Sequence, residues 1–259
     1  HLKPMADYLA ANLQEFGIKE GKVLFAKDNE QMIRYINQGK VDLITETAFS
    51  ASIFNEQANA DIILRRWKKG VSEYSSLIFS RRESGIVSFD DLLGKTIAFQ
   101  DRGSSSAYYI PASILLRSGY QLHELNSPSE IPPEDKIGFV FANKEINISA
   151  WVHKGIVAAG AFNNLNWDNS RDMPVDFKEQ LEVIYESEAF PRGVELQRSS
   201  MNAGLKSRVI ELLTTAHENE SGQAALRAYQ KTSKYDELTE TADIMQLTKE
   251  LQQIVNDQL

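Results

Sequence analysis

Cysteine is absent from the 259 residues, which excludes disulfides and thiolate metal ligation and is compatible with an oxidising compartment without requiring one. Histidine is scarce, and His1, His123, His153 and His217 lack the close spacing of a metal site. No run of about 18 apolar residues occurs, so no segment suits a bilayer span and no membrane insertion is expected. Positive charge is in deficit: 28 Lys and Arg face 36 Asp and Glu, a net charge of −8. A nucleic-acid binder would normally carry a basic stripe, so that class is set aside. The chain opens at His1-Leu2-Lys3-Pro4 without a basic and apolar leader, so a signal peptide is expected to have been removed or never present. Repeats, low-complexity tracts, Gly-x-Gly-x-x-Gly and Gly-x-Ser-x-Gly are all missing. Gly94-Lys95-Thr96 imitates the end of a P-loop, but Phe89 stands where that motif needs its first Gly, and the strand follows instead of preceding.

What is present is a globular composition, 42% hydrophobic and 25% charged, in a chain long enough for one large or two small domains. Leu2, Met5, Leu9, Leu13 and Phe16 recur at helical spacing before Gly17, predicting a helix over 3–16. Strands follow at 22–26, 41–44 and 62–67, alternating with helices at 30–37 and 49–57. A strand at 74–80 then leads into a second series: a short helix at 90–93, strands at 96–99, 137–142 and 157–162, and helices at 105–118 and 143–154. Residues 164–180 read as polar and aperiodic, and short strands at 182–185 and 194–197 flank Pro191. Helices over 203–217, 222–230 and 241–256 close the chain, the last with Ile244, Leu247, Leu251 and Ile254 on one face. Such alternation predicts βαβ units and mostly parallel sheets. Two α/β lobes are expected, one from 1–80 with 190–259 and the other from 81–189, with a ligand cleft at the carboxyl ends of their strands.

Three polar groups follow strand ends: Thr45-Glu46-Thr47, Ser104-Ser105-Ser106 and Asn163-Asn164. The serine run is the most informative. A helix start leaves backbone N–H groups without intrahelical acceptors and carries the positive end of the macrodipole. One serine suffices for a cap, and three hydroxyls in a row also suit an oxyanion. Asp90-Asp91 read as capping residues, while Lys3, Arg65-Arg66 and Lys68-Lys69 read as solvated faces.

The segment Asp101-Arg102-Gly103-Ser104-Ser105-Ser106-Ala107-Tyr108-Tyr109-Ile110-Pro111 resembles the Asp-x-x-Ser-Thr-Ser-Gly motif, aromatic or apolar pair and Pro of the PhnD-like phosphate, phosphite and phosphonate substrate-binding proteins of ABC transporters. Further likenesses run through most of the chain: Leu2–Leu9, the stretch Arg66-Trp67-Lys68-Lys69-Gly70 with Glu73-Tyr74-Ser75, Ser84-Gly85-Ile86 leading to Gly94-Lys95, Phe190-Pro191, Ser221–Leu226 and Tyr235–Leu238. The resemblance implies a type II periplasmic-binding-protein fold that closes by hinge motion on a small tetrahedral oxyanion. It also implies no cofactor or metal, a monomer outside the cytoplasm, and an ABC permease as partner. Ser104, Ser105 and Ser106 would take the ligand oxygens, Tyr74 matches a ligand-contacting tyrosine, and Asn163 and Asn164 stand where the second lobe adds polar contacts. Thr45, Glu46 and Thr47 occupy the first-lobe ligand loop.

The departures from the family are Ser105 for Thr, Ala107 for Gly, and no strand before the first helix. Glu46 would repel an anion, so it points away, is protonated, or pairs with a ligand amine such as an aminoalkylphosphonate supplies. A non-oxyanion ligand is a further alternative. The same fold also serves as the input domain of membrane receptors, histidine kinases or cyclases, which is the alternative function. An enzyme would need an acid–base or nucleophile pair, and none is evident beyond Glu46.

Overall fold

The computed structural model describes residues 2–238 and 241–258, without the side chains of 241–245 and 258, so His1 and the expected apolar position Ile244 lie outside the description. Among the described residues the strands are β1 Leu43–Glu46, β2 Ala60–Lys68, β3 Glu73–Tyr74, β4 Ser76–Arg81, β5 Thr96–Phe99 and β6 Leu122–Glu124. They continue with β7 Ile137–Phe141, β8 Ala159–Asn163, β9 Leu181–Glu186, β10 Phe190–Pro191, β11 Val194–Arg198 and β12 Thr232–Asp236. The helices are α1 Lys3–Ala11, α2 Asn29–Asn37, α3 Ala48–Ala58, α4 Ile110–Arg117 and α5 Glu145–His153. After them come α6 Asn164–Trp167, α7 Val175–Gln180, α8 Ala203–Thr215, α9 Glu220–Ala228 and α10 Thr241–Gln258.

The chain divides into two compact units, His1–Glu73 with Phe190–Gln246, and Tyr74–Ala189 with Leu247–Leu259. Two segments fall differently from the expected lobes. Strand β4 pairs on both sides with strands of the second unit, which claims residues 74–80. The end of α10 belongs to the same unit because Val255 joins the core of Ile97, Phe99 and Leu115.

In the first unit the sheet order is β1-β11-β2-β12. The expected parallel arrangement fails here, since every pairing is antiparallel. Strands β1 and β2 do run the same way, as the alternation requires, but the late strand β11 sits between them and opposes both. The predicted strand at 22–26 is not formed. Its sequence suits a strand, yet a strand needs a hydrogen-bonded neighbour, and Phe25 stays 77% exposed. The first helix ends early at Ala11, and a single 3₁₀ turn over Gln14–Phe16 reaches Gly17, whose φ of 78° makes the expected stop. Met5, Leu9, Leu13, Val209 and Leu213 form the core beneath α1 and α8.

The second unit follows the expectation more closely, with order β6-β7-β5-β8-β4-β9. Strands β6, β7, β5 and β8 pair in parallel, while β4 runs antiparallel to β8 and β9. All four residues of β5 are buried. Side chains alternate between faces, so Ile97 and Phe99 enter one core with Tyr108 and Leu115, and Ala98 enters another with Val140, Ile148 and Val152. Strands β6 and β12 escaped the sequence reading because each is short and half polar. Helices α6 and α7 occupy the stretch read as aperiodic, started by the Asn163 side chain and by Pro174.

Candidate functional site

The second unit assembles the serine run from a strand end. After β5, the Asp101 carboxylate accepts the Gly103 N–H at 2.8 Å and folds the chain back. Ser104 then caps the turn, its Oγ accepting the Ala107 N–H at 3.3 Å. The next residues are not an ordinary α-helix: Ser105–Tyr109 form a π-helical turn, closed by the Tyr109 N–H donating to the Ser104 carbonyl at 3.0 Å, before α4 begins. Such turns are rare and concentrate at functional sites. Ser105 and Ser106 are buried at 4% and 7% exposure, so both residues are withdrawn from solvent.

Neighbouring strands lock this turn. Ser76 Oγ on β4 donates to the Ser106 carbonyl at 2.6 Å. Asn163 at the end of β8 donates from Nδ2 to Ser106 Oγ at 3.1 Å, while its own Oδ1 accepts the Asn166 N–H at 3.0 Å. The Ser106 hydroxyl therefore uses a lone pair on Asn163 and keeps its proton for another acceptor. Asn164 is bound in a different place: its Oδ1 accepts the Ser75 N–H at 3.3 Å and its N–H donates to the Ser75 carbonyl at 3.0 Å. That clamp fixes the backbone beside Tyr74, which is itself buried. Ser75 Oγ donates to Glu186. Ser106 and Asn163 are thus in direct contact, whereas Asn164 acts on the neighbouring strand.

The first unit contains the other predicted group, in unexpected company. Thr45 and Glu46 lie at the end of β1, where Thr45 pairs with Glu195 and Glu46 with Val194. Thr45 Oγ1 contacts both Glu195 Oε2 and the Tyr229 hydroxyl, and Tyr235 OH donates to the same Glu195 oxygen at 3.3 Å. Burial pushes Glu195 up to about 7, against the opposing effects of Thr45 and Arg66. Burial likewise raises Tyr229 and Tyr235. Glu46 is raised by burial as well, held back by the Thr47 N–H donating to its Oε2 at 3.1 Å and by Arg66.

Arg66 corrects the sequence reading. It is only 6% exposed, not solvated, and its Nη1 donates to Gln230 Oε1 at 3.1 Å. Its neighbour Arg65 lies on the opposite face, paired through Nε and Nη2 with Asp236 at 3.0 and 2.9 Å. The period of two in β2 separates the doublet. Arg66, Glu195 and Tyr235 escaped the sequence reading because strand register brings them together, and Tyr229, just past α9, because only the fold carries it to Thr45. No group of three or more His, Asp or Glu positioned for a metal occurs among the described residues.

A two-lobed α/β chain with polar groups at strand ends is the type II periplasmic-binding-protein fold. The family described as "ABC transporter, phosphonate, periplasmic substrate-binding protein" matches residues 1–242, and the chain belongs to it. A Xanthomonas citri protein, described in separate structures as bound to ATP and to chloride ion, is 31% identical to this chain. The ATP form covers 100% of this chain and 94% of that one at TM-score 0.92, the chloride form 99% and 93% at 0.91. PhnD1 of Prochlorococcus marinus (MIT 9301), in complex with methylphosphonate, shares the fold at 15% identity, with coverage of 96% and 91% and TM-score 0.65. No helix among the described residues is long and apolar enough to cross a membrane.

Proposed function

We propose that this protein captures a small oxyanion, a phosphonate, phosphite or phosphate, outside the cytoplasm and hands it to the permease of an ABC importer. Ser104, Ser105 and Ser106 bind the anionic head, Asn163, Asn164 and Tyr74 support them, and Thr45, Glu46 and Thr47 belong to the first unit's share of ligand recognition. One observation carries the reading: Asn163 donates to Ser106 Oγ at 3.1 Å, which orients a buried hydroxyl as a donor. Neutral donors can replace an oxyanion's hydration shell without a counter-cation. The 31%-identical Xanthomonas citri relative is described with anions bound, and ATP carries phosphate oxygens of the same chemistry. Burial raises Glu46, which eases its protonation beside an anion, while pairing with a ligand amine would instead use the ionised carboxylate.

Thermal-shift titration with methylphosphonate, phosphite, phosphate and 2-aminoethylphosphonate tests the proposal, since a ligand bound only by the folded form raises Tm. At least one should stabilise the wild type, and Ser105→Ala with Ser106→Ala should abolish the shift. Full stabilisation of that double variant would remove the serine assignment. Glu46→Gln should alter the ranking of the amine-bearing ligand against the plain ones, and an unchanged ranking removes the amine pairing.

A further inference from the structure

At one end of the first unit's sheet, three turns are tied together and most of what they carry is positive. Thr232 pairs with Lys68, the Lys69 N–H donates to the Lys231 carbonyl at 2.9 Å, and the Arg66 N–H to the Gly193 carbonyl at 2.9 Å. Arg192 Nη1 donates to the Lys68 carbonyl at 2.7 Å. Strand period two puts Arg66 and Lys68 on the same face of β2. Glu46, Val194 and Arg65 are register neighbours, so this is the carboxyl end of the parallel-running β1 and β2, the edge at which open α/β sheets take ligands.

We infer that Arg66, Lys68 and Arg192 form a second anion site, on the first unit, for a compact polyanion such as a di- or triphosphate. The Arg66 guanidinium is buried, and its Nε meets no hydrogen-bond acceptor among the described residues. An unpaired buried donor is costly unless a ligand completes it. The guanidinium packs against Gly193, where an added Cβ would stand 3.1 Å from Nε and 3.2 Å from Nη2; any side chain at 193 would crowd the edge that grips an oxyanion bidentately. Lys68 is half-buried, and burial together with Arg66, Arg192 and Lys69 holds its ammonium below the ordinary range. In a chain of net charge −8, the charges that bear most on this lysine among the described residues are positive.

The backbone reinforces the assignment. Five non-glycine residues have left-handed φ among those described, and two are the tolerant Asn59 and Asn143. The other three, Lys69 at 54°, Gln230 at 52° and Lys231 at 58°, all lie in these turns, where strained backbone commonly marks function. The two carboxyls beside Arg66, Glu46 and Glu195, are both raised by burial and both drawn back down by Arg66. Because the cations are recessed, a small anion suits them better than a protein or membrane surface.

Isothermal titration with inorganic pyrophosphate decides the matter, with the wild type, Ser105→Ala/Ser106→Ala and Lys68→Gln/Arg192→Gln compared at fixed ionic strength. Pyrophosphate should bind the wild type and the serine variant alike, with at least tenfold weaker binding to the cation variant. Should Arg192→Gln impair folding, Lys68→Gln/Lys69→Gln serves in its place. Absence of pyrophosphate binding to the wild type, loss in the serine variant, or undiminished binding by the cation variant would each overturn the site. The serine assignment is judged separately, by methylphosphonate, so the two can fail independently.

Discussion

In the second unit the groups around Ser106 are neutral hydroxyls, amides and carbonyls, held by Ser76 and Asn163; in the first, Glu46, Glu195, Arg66, Tyr229 and Tyr235 share one end of a sheet with opposing charges and phenols buried together. Neutral dipoles keep their protonation state over any working pH, and they fix geometry. Buried ionisable groups titrate, and their attraction to one another scarcely offsets their desolvation. On the proposed reading, the second unit is a rigid receptor by construction, and the first is the place where pH and ligand charge are felt. Three experiments sharpen that contrast.

The largest effect belongs to the apolar support of the rigid unit. Phe79 is fully buried, its ring 4.5 Å from Phe162 and 5.4 Å from Trp167 between centroids. Phe79→Ala leaves a cavity beneath β4 and should cost about 4 kcal/mol in urea unfolding. A loss under about 1 kcal/mol would mean that this core repacks freely and that the contrast in rigidity is mistaken.

Next comes the pH response of the first unit. Glu195 titrates near 4.5 when unfolded and near 7 in the fold, so the folded state holds the extra proton between these values. Its stabilising contribution is complete below about pH 4.5 and is lost as pH rises through 7, a fall of about 3 kcal/mol for this group. Glu46, also raised, adds to the same trend. Glu195→Gln should flatten the stability profile between pH 5 and 8, as followed by denaturant midpoints. An unchanged slope in the variant would show that the carboxyl is ionised throughout.

These two regions also differ in what the sequence disclosed. The serine turn was legible because its parts are adjacent: an apolar strand, a turn, hydroxyls at a cap and a helical period occupy residues 96–117. Only the π-helical geometry was not, since the hydroxyl pattern of an α-helical start is the same. The charged end was illegible for the opposite reason. Thr45 and Glu195 stand 150 positions apart, and Arg66 looked solvated because it sits beside Arg65 in a polar doublet. Only the pleat separates the two arginines, and only register identifies Glu195 as a neighbour of Thr45. The unformed strand at 22–26 teaches the same lesson, because a strand's sequence shows its faces but not whether another strand lies alongside.

The smallest predicted effect discriminates most finely, because β4 supplies its own control. Ser76 and Ser80 are both buried and both donate from Oγ to a main-chain carbonyl, Ser76 to Ser106 at 2.6 Å and Ser80 to Ile86 at 3.2 Å. Replacing either with Ala strands a buried carbonyl and should cost about 1–2 kcal/mol. The stability losses are thus expected to be alike, while the consequences for ligand differ. Ser76 holds the carbonyl of the residue whose hydroxyl is oriented as a donor, so Ser76→Ala lets the π-turn shift and weakens methylphosphonate binding several-fold. Ser80 supports a loop at the far end of the same strand, and Ser80→Ala should leave that affinity unchanged. If the two variants lose affinity equally, binding follows general stability, and the turn behind Ser106 has no special part in holding the anion.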